Sequence, residues 1–169
     1  MGIKIVRDNN EFDEQIRKVI IKAFKQDNEA ILVENIKKNS DFYVSFVAID
    51  EDTNNVVGHV MVSPMLLNGQ KEVLSLAPVS VLEEYENRGI GSQLIKTIIA
   101  EIQKEEKYKL LTVLGSDHYY NRFGFKGYDS KRFKLPFEIE DRFFQLMVLG
   151  ETTLDTLEGN FDYPAYFGV

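Results

Sequence analysis

The chain has 169 residues, 44% of them hydrophobic and 28% charged, which is the make-up of one ordinary folded domain close to the usual size of about 150 residues. It contains 0 cysteines and 2 histidines, His59 and His118, which excludes a disulfide framework, a thiol nucleophile and a zinc site built from Cys or from Cys and His. The 20 Lys and Arg against 27 Asp and Glu leave a net charge of -7, which argues against nucleic acid held by its phosphate backbone as a partner.

Alternation at Ile3, Ile5 and Arg7 predicts a first strand, and Asp8 with Glu11 has the spacing of a capping box that opens a helix. Phe12, Ile16, Val19, Ile20, Ala23 and Phe24 recur at helical spacing and mark the buried face of that helix. A second helix over 28–38 is expected to turn Ile31, Ile36 and Leu32 inward. The segments Phe42–Asp50 and Val56–Ser63 are β-branched and aromatic and flank the polar loop Glu51–Asn55, a hairpin pattern. Asn68-Gly69 is a strong signal for a type I′ turn, which needs positive φ at both positions, and it leads into a third antiparallel strand over Glu72–Val81. Both faces of these strands are apolar, so cover on both sides is expected.

A polar, glycine-containing loop, 82–92, follows. The next helix places Leu94, Ile95, Ile98, Ile99 and Ile102 on one side and Lys96, Glu101, Lys104 and Glu105 on the other. A buried strand over Lys109–Leu114 completes a crossover that should be parallel. Tyr119–Phe125 reads as a brief helix ending at Gly124, Phe143–Leu149 as a strand, and Phe161–Phe167 as an aromatic tail. No linker interrupts the chain, so a single domain over 1–169 is expected, with an α/β (α+β) mixed sheet and helices on both faces. The N-terminus is too charged for a secretory signal, and no apolar run approaches the ~20 residues of a membrane span, which leaves a cytoplasmic enzyme or binding domain with no membrane partner.

Arg88-Gly89-Ile90-Gly91-Ser92 stands at the start of the long helix, where the first backbone N–H groups lack intrahelical partners and the dipole favours an anion. The segment reads either as a pyrophosphate cradle or as a tight turn with a glycine-eased helix start. It is neither a Walker A loop, lacking Gly-Lys-Ser/Thr, nor a dinucleotide fingerprint, since Leu94 stands where the third glycine is due. Pro78 lies inside Leu76-Ala77-Pro78-Val79-Ser80-Val81, and a proline in a strand marks an edge, a start or a bulge. A bulge would splay this strand from its parallel neighbour and free main-chain groups of Val79 and Val81 for an extended amide-bearing ligand. The plainer alternative is a kinked strand whose free groups bind water.

Glu86-Asn87-Arg88-Gly89-Ile90-Gly91 matches the glycines of Gln/Arg-x-x-Gly-x-Gly/Ala, and Tyr119-Tyr120-Asn121-Arg122-Phe123-Gly124-Phe125 is similar to a tyrosine-containing helix ending in Gly-Phe. On these two motifs the chain resembles the GNAT superfamily of acetyl-CoA-dependent N-acetyltransferases. With Phe133-Lys134-Leu135-Pro136 and Tyr163-Pro164-Ala165-Tyr166-Phe167 it looks like a branch of bacterial predicted acetyltransferases. The resemblance implies a mostly antiparallel central sheet with a splayed, bulged central strand. It implies attack of an amine directly on the thioester of acetyl-CoA, with no metal, through an oxyanion held by a main-chain N–H. By the same resemblance Val79, Ser80 and Val81 run along the pantetheine arm, and Asn87, Arg88, Gly89, Ile90, Gly91 and Ser92 hold the pyrophosphate. Tyr120 stands where the family's general acid protonates the leaving thiolate, while Tyr119 is expected to pack. One departure is Glu86, which replaces the usual Gln or Arg and is expected either to turn to solvent or to lower the affinity for the cofactor.

No general base is assigned: Glu72, His59, Ser75 and His118 are the candidates, and each is at least as well explained structurally. The acceptor, a primary amine of a small molecule or a protein, is expected to be set by 24–40, the hairpin loops, 129–140 and 155–169. A non-catalytic acyl-CoA-binding or regulatory domain on the same scaffold is the alternative. The aromatic tail either folds back on its own sheet, the favoured arrangement, or covers the site of a partner in a homodimer.

Overall fold

A computed structural model describes residues 2–168; Met1 and Val169, which the expected domain includes, lie outside the described residues. Strand β1 (Ile3–Arg7) leads to helices α1 (Asp13–Phe24) and α2 (Asn28–Asn39), and β2 (Val44–Asp50), β3 (Asn55–Leu67) and β4 (Gln70–Val81) follow as an antiparallel meander. Helix α3 (Ile90–Ile102) crosses to β5 (Leu110–Leu114), which lies parallel to β4. Helix α4 (Asp117–Tyr120) and the short strands β6 (Lys126–Gly127), β7 (Phe133–Lys134), β8 (Phe144–Val148) and β9 (Gly159–Asp162) complete the chain. The sheet order is β1-β2-β3-β4-β5-β8-β6, with β9 pairing both β3 and β7, so the sheet is mixed and mostly antiparallel. No helix among the described residues is long and apolar enough to cross a membrane.

Alternation along β2 divides the core between the two faces. Val44, Phe46 and Ala48 join Leu94, Ile95 and Ile98 of α3 on one face. Val47 and Ile49 join Ile16, Val19 and Ile20 of α1 and Val33 and Ile36 of α2 on the other. Each fully buried Leu or Ile contributes about 1.5–3 kcal/mol of transfer free energy. Gly58 brings α3 close to β3: a Cβ there would lie 3.1 Å from Leu94 Cδ1 and 3.2 Å from the Ser80 carbonyl oxygen. Asn68 and Gly69 have φ of 53° and 78°, as the type I′ turn requires. The Asn68 side chain also ties the hairpin to the tail, donating to the Glu158 carbonyl at 2.9 Å and accepting from the Asn160 N–H at 2.9 Å. The tail folds back on its own sheet: Phe161 faces Leu67 of β3 and is buried.

The expected bulge lies at the proline. Val60 faces Val79 but Val62 faces Leu76, so Ala77 and Pro78 together oppose Met61. Beyond it β4 and β5 part: their parallel pairing runs only from Val73↔Leu110 to Ser75↔Thr112, while β5 continues against β8 as far as Leu114↔Phe144.

Three sequence expectations fail locally. Helix α1 starts at Asp13 behind Phe12 without a side-chain cap, because the Asp8 carboxylate turns inward instead of capping. It accepts from Lys37 Nζ at 2.6 Å, Ser45 Oγ at 2.8 Å and the Asn10 N–H at 2.9 Å, bonds a capping role would forfeit. On α2 the buried stripe is Ala30, Val33 and Ile36, which leaves Ile31 exposed. Phe24, at the end of α1, is also exposed, beside a cavity.

Asp8 anchors a buried polar line. Its Ser45 partner also bonds His59 Nε2 at 2.9 Å, and His59 is wholly buried. Burial raises the Asp8 pKa, but the bonds from Lys37 and Ser45 and from the Asn10 main chain outweigh it and hold the carboxyl below its usual value. Burial pushes His59 down to about 3, with Asp8 pulling it up and Lys37 pushing it down. The folded-state value lies below the unfolded one near 6.5, so this contribution is complete above about pH 6.5 and is lost as pH falls toward about 3. Denaturant melts should therefore show a loss of about 2 kcal/mol between about pH 7 and pH 5, and the loss should vanish in His59→Gln. Equal stability at the two pH values would contradict a neutral buried His59.

Candidate active site

The gap between β4 and β5 opens onto two cavities. The first, of about 450 Å³, is lined by Val81, Asn87, Gly89, Ile90, Gly91 and Ser92, together with Tyr85, Glu86, Tyr119 and Arg122. Gly89 caps α3 in the left-handed conformation, with φ 80°, and Asn87 has φ 61°. The first backbone bond of the helix is Gln93 N–H to the Gly89 carbonyl at 3.0 Å, so the amides of Ile90, Gly91 and Ser92 have no intrahelical acceptor. The helix N-terminus therefore offers a partial positive charge to an anion in this cavity.

The preceding loop is held by its own side chains. Tyr85 Oη donates to Asp50 Oδ2 at 2.6 Å, a bond that holds the Asp50 carboxyl below its usual pKa and raises that of Tyr85. The Arg88 guanidinium lies 5.0 Å from the Tyr85 ring centroid and donates to the Glu84 carbonyl at 3.0 Å. Arg88 thus braces the loop and is not among the residues lining the cavity. Glu86 is exposed, as expected, at the cavity's edge.

The second cavity, of about 430 Å³, follows the open edge of β4 through Ser75, Pro78 and Val79 to Tyr120 and Leu114. From Leu76 to Val79 this edge has no pairing to β5, so an extended ligand has unpaired main chain to lie against. Ser80 lies in neither cavity: it is buried opposite His59, and its Oγ and His59 Nδ1 both lack a hydrogen-bond partner among the described residues. Ser80 therefore offers the site no side-chain group.

Tyr120 sits on α4, which begins behind Ser116 and passes into a single 3-10 turn that ends at Gly124 with φ 98°. Its ring packs edge-on against Tyr119 at 4.9 Å and Phe125 at 5.7 Å between centroids. Burial pushes the phenol up to about 12, with the neighbouring Tyr119 adding to it. It is therefore a weaker acid than a free phenol near 10, and the proton transfer to a thiol of ordinary pKa is steeper than the unperturbed values imply.

Of the candidate bases, Glu72 pairs with Lys109 at 3.3 Å away from both cavities, and His59 is sealed in the core. His118 is exposed, and its N–H caps locally on Asp117 Oδ1 at 2.7 Å. Ser75 lines the second cavity together with Tyr163, whose phenol burial pushes up to about 12 while the Ser75 hydroxyl pulls it down. Sequence reasoning missed Arg122 and the first-cavity position of Tyr119. The Arg122 guanidinium lies 4.5 Å from the Tyr119 ring centroid, and its Nε donates to the Tyr119 carbonyl at 3.0 Å. The i, i+3 spacing of an aromatic and a cation on a short helix was the available signal. Gly115 and Glu29, treated below, were missed as well.

A splayed parallel pair beside an anion-ready helix N-terminus is the arrangement that the sequence resemblance implied. The profile of the acetyltransferase (GNAT) domain matches residues 38–127, more than half of the sequence, and the chain belongs to that family. The chain is 27% identical over 147 residues to the N-acetyltransferase YhbS of Escherichia coli K12, covering 86% of this chain and 87% of that protein. The structure of E. coli YhbS in complex with CoA superposes with a TM-score of 0.89 at 24% identity, over 99% of this chain and 92% of that one, and shows the same fold. A GNAT acetyltransferase from Brucella melitensis in complex with acetyl-CoA gives 0.80 at 28% identity, covering 98% of each chain.

A Cβ at Gly115 would run into the Tyr120 ring. Gly115→Ala should therefore displace that ring and cost about 1–3 kcal/mol in denaturant melts. Wild-type stability in the variant would contradict the close packing of Gly115 on Tyr120.

Proposed function

We propose that the protein transfers the acetyl group of acetyl-CoA directly to a primary amine, within the single domain and cytoplasmic setting expected from the sequence. The observation that carries this reading is the continuous open edge of β4, which leads from the N-terminus of α3 to Tyr120. The residues present fit that donor. The amides of Ile90, Gly91 and Ser92, with the Arg122 guanidinium opposite, suit a diphosphate, and the unpaired main chain of Val79 and Val81 suits the two amides of a pantetheine arm. When bound, acetyl-CoA supplies an activated acyl carbon with a thiolate leaving group.

The protein's part is positioning and charge management. Main-chain donors on the β4 edge stabilise negative charge developing on the acyl oxygen. The amine nitrogen bonds to the acyl carbon as the carbon–sulfur bond breaks, and the sulfur takes its proton from Tyr120 Oη. Through solvent, one proton lost from the nitrogen returns to the Tyr120 phenolate, and any further proton carried by the incoming ammonium is released. The burial that raises the Tyr120 pKa also raises that of a thiolate formed beside it, so the two approach each other once the cavity is filled.

Two variants test this reading by calorimetry and by release of free thiol on an amine panel. Tyr120→Phe should lower kcat about tenfold or more while leaving acetyl-CoA affinity nearly unchanged. An unaltered kcat would remove Tyr120 as the acid. Gly91→Val projects methyl groups into the first cavity, next to Tyr119 and Val81, and should abolish acetyl-CoA binding; retained affinity would sink the cradle. Binding without turnover on any amine would favour a non-catalytic acyl-CoA-binding domain.

A further inference from the structure

The second cavity has a side that the donor does not use. Across from the β4 edge it is walled by Phe24 at the end of α1, Leu32 of α2, and Phe137, Tyr163 and Phe167 from the C-terminal segments. The aromatic wall is a stack: Tyr163 lies against Phe137 at 6.2 Å and Phe167 at 4.8 Å between ring centroids. Among the described residues that line the cavity, Glu29 is the one that carries a charge. It stands three residues before Leu32 on the same face of α2, and Gln26 Nε2 holds both carboxylate oxygens, at 2.9 and 3.1 Å. Phe24 brings a partly exposed aromatic ring to this rim.

We propose that this side of the cavity is the acceptor subsite and that it takes a small primary amine carrying an aromatic or other apolar body, with Glu29 pairing with its ammonium group on entry and the ammonium giving a proton to solvent before its nitrogen attacks. The proposal rests on the acetyl-transfer reading and narrows its acceptor. One carboxylate in a cavity whose lining carries no other charge matches one positive charge. A polyamine would bring further ammonium groups with no carboxylate to meet them, and an amino acid would bring its own carboxylate against Glu29 with no cation in the lining. Burying such unpaired charge costs several kcal/mol. An apolar body instead exchanges water for the Phe24, Leu32 and Phe167 surfaces, and an aromatic one gains further from stacking. Glu29 is thus a residue that sets specificity, and it lies outside the donor machinery.

The test is steady-state thiol release from acetyl-CoA with 2-phenylethylamine, spermidine, glutamate and a lysine-containing peptide. The first should exceed each of the others in kcat/KM by about tenfold or more. Preference for spermidine, glutamate or the peptide would overturn the proposal and leave acetyl transfer standing; acetyl-CoA binding with no turnover of any amine would overturn both. In Glu29→Gln the KM for 2-phenylethylamine should rise about tenfold or more, while inhibition by its uncharged analogue 2-phenylethanol and the affinity for acetyl-CoA each stay within about twofold. An unchanged KM, or equal weakening of the amine and the alcohol, would show that Glu29 does not read the charge.

Discussion

Everything at the site depends on β4 leaving β5. The two strands share only three register pairs, and the separation begins after Ser75, just before Ala77 and Pro78 are accommodated as a bulge against Met61. Two conditions make this tolerable. The proline removes one N–H from the ladder at the point where it breaks. The other edge of each strand stays paired, β4 to β3 as far as Val81 and β5 to β8 as far as Leu114, so the gap is bounded by rigid elements. Main-chain groups that a closed sheet would consume are left for a ligand, with the N-terminus of α3 at one end of the opening and Tyr120 at the other.

The side chains round the gap divide by task. On the first cavity the long helix contributes amides and dipole, and the side chains that reach in are few: Arg122, Tyr119 and the rim carboxylate of Glu86. Such a design tolerates much side-chain variation and little change in backbone, which is why the glycines at 89 and 91 carry the signal. On the second cavity side chains dominate, contributed by α1, α2 and the C-terminal segments. The lining of the first cavity thus lies within the matched domain profile, and the parts of the chain outside that profile furnish most of the wall of the second cavity that faces β4. Beneath both runs the buried line from Lys37 and Asp8 through Ser45 to His59, which pins β1, α2, β2 and β3 together on the face opposite α3.

Much of this was legible in the sequence where local rules and tertiary demands agree. The meander followed from Asn68-Gly69 and the β-branched runs, α3 from its unbroken apolar stripe, and the bulge from one proline inside a strand. What was missed involves residues whose local pattern is overruled at long range. Asp8 has the spacing of a cap, but its carboxylate is worth more against Lys37, 29 residues away in sequence. Ile31 fits a helical stripe, but the side of α2 that meets the sheet is set one position away, at Ala30 and Val33. The strands β6, β7 and β9 are too short to show periodicity and exist because β8 and β3 offer them edges. Gly115 and Glu29 have no local signature, since the meaning of each lies in a ring or a cavity that distant segments supply.

The central claim is that main-chain groups of the β4 edge and of the α3 N-terminus hold the donor. The most direct measurement is residue-resolved amide hydrogen exchange by NMR with and without acetyl-CoA. The account predicts that slowing concentrates in Leu76–Val81 and in Asn87–Ser92, with β1, β2 and the β6–β8 edge unchanged. Slowing confined to other parts of the chain, with these two segments exchanging as they do in the free protein, would contradict it.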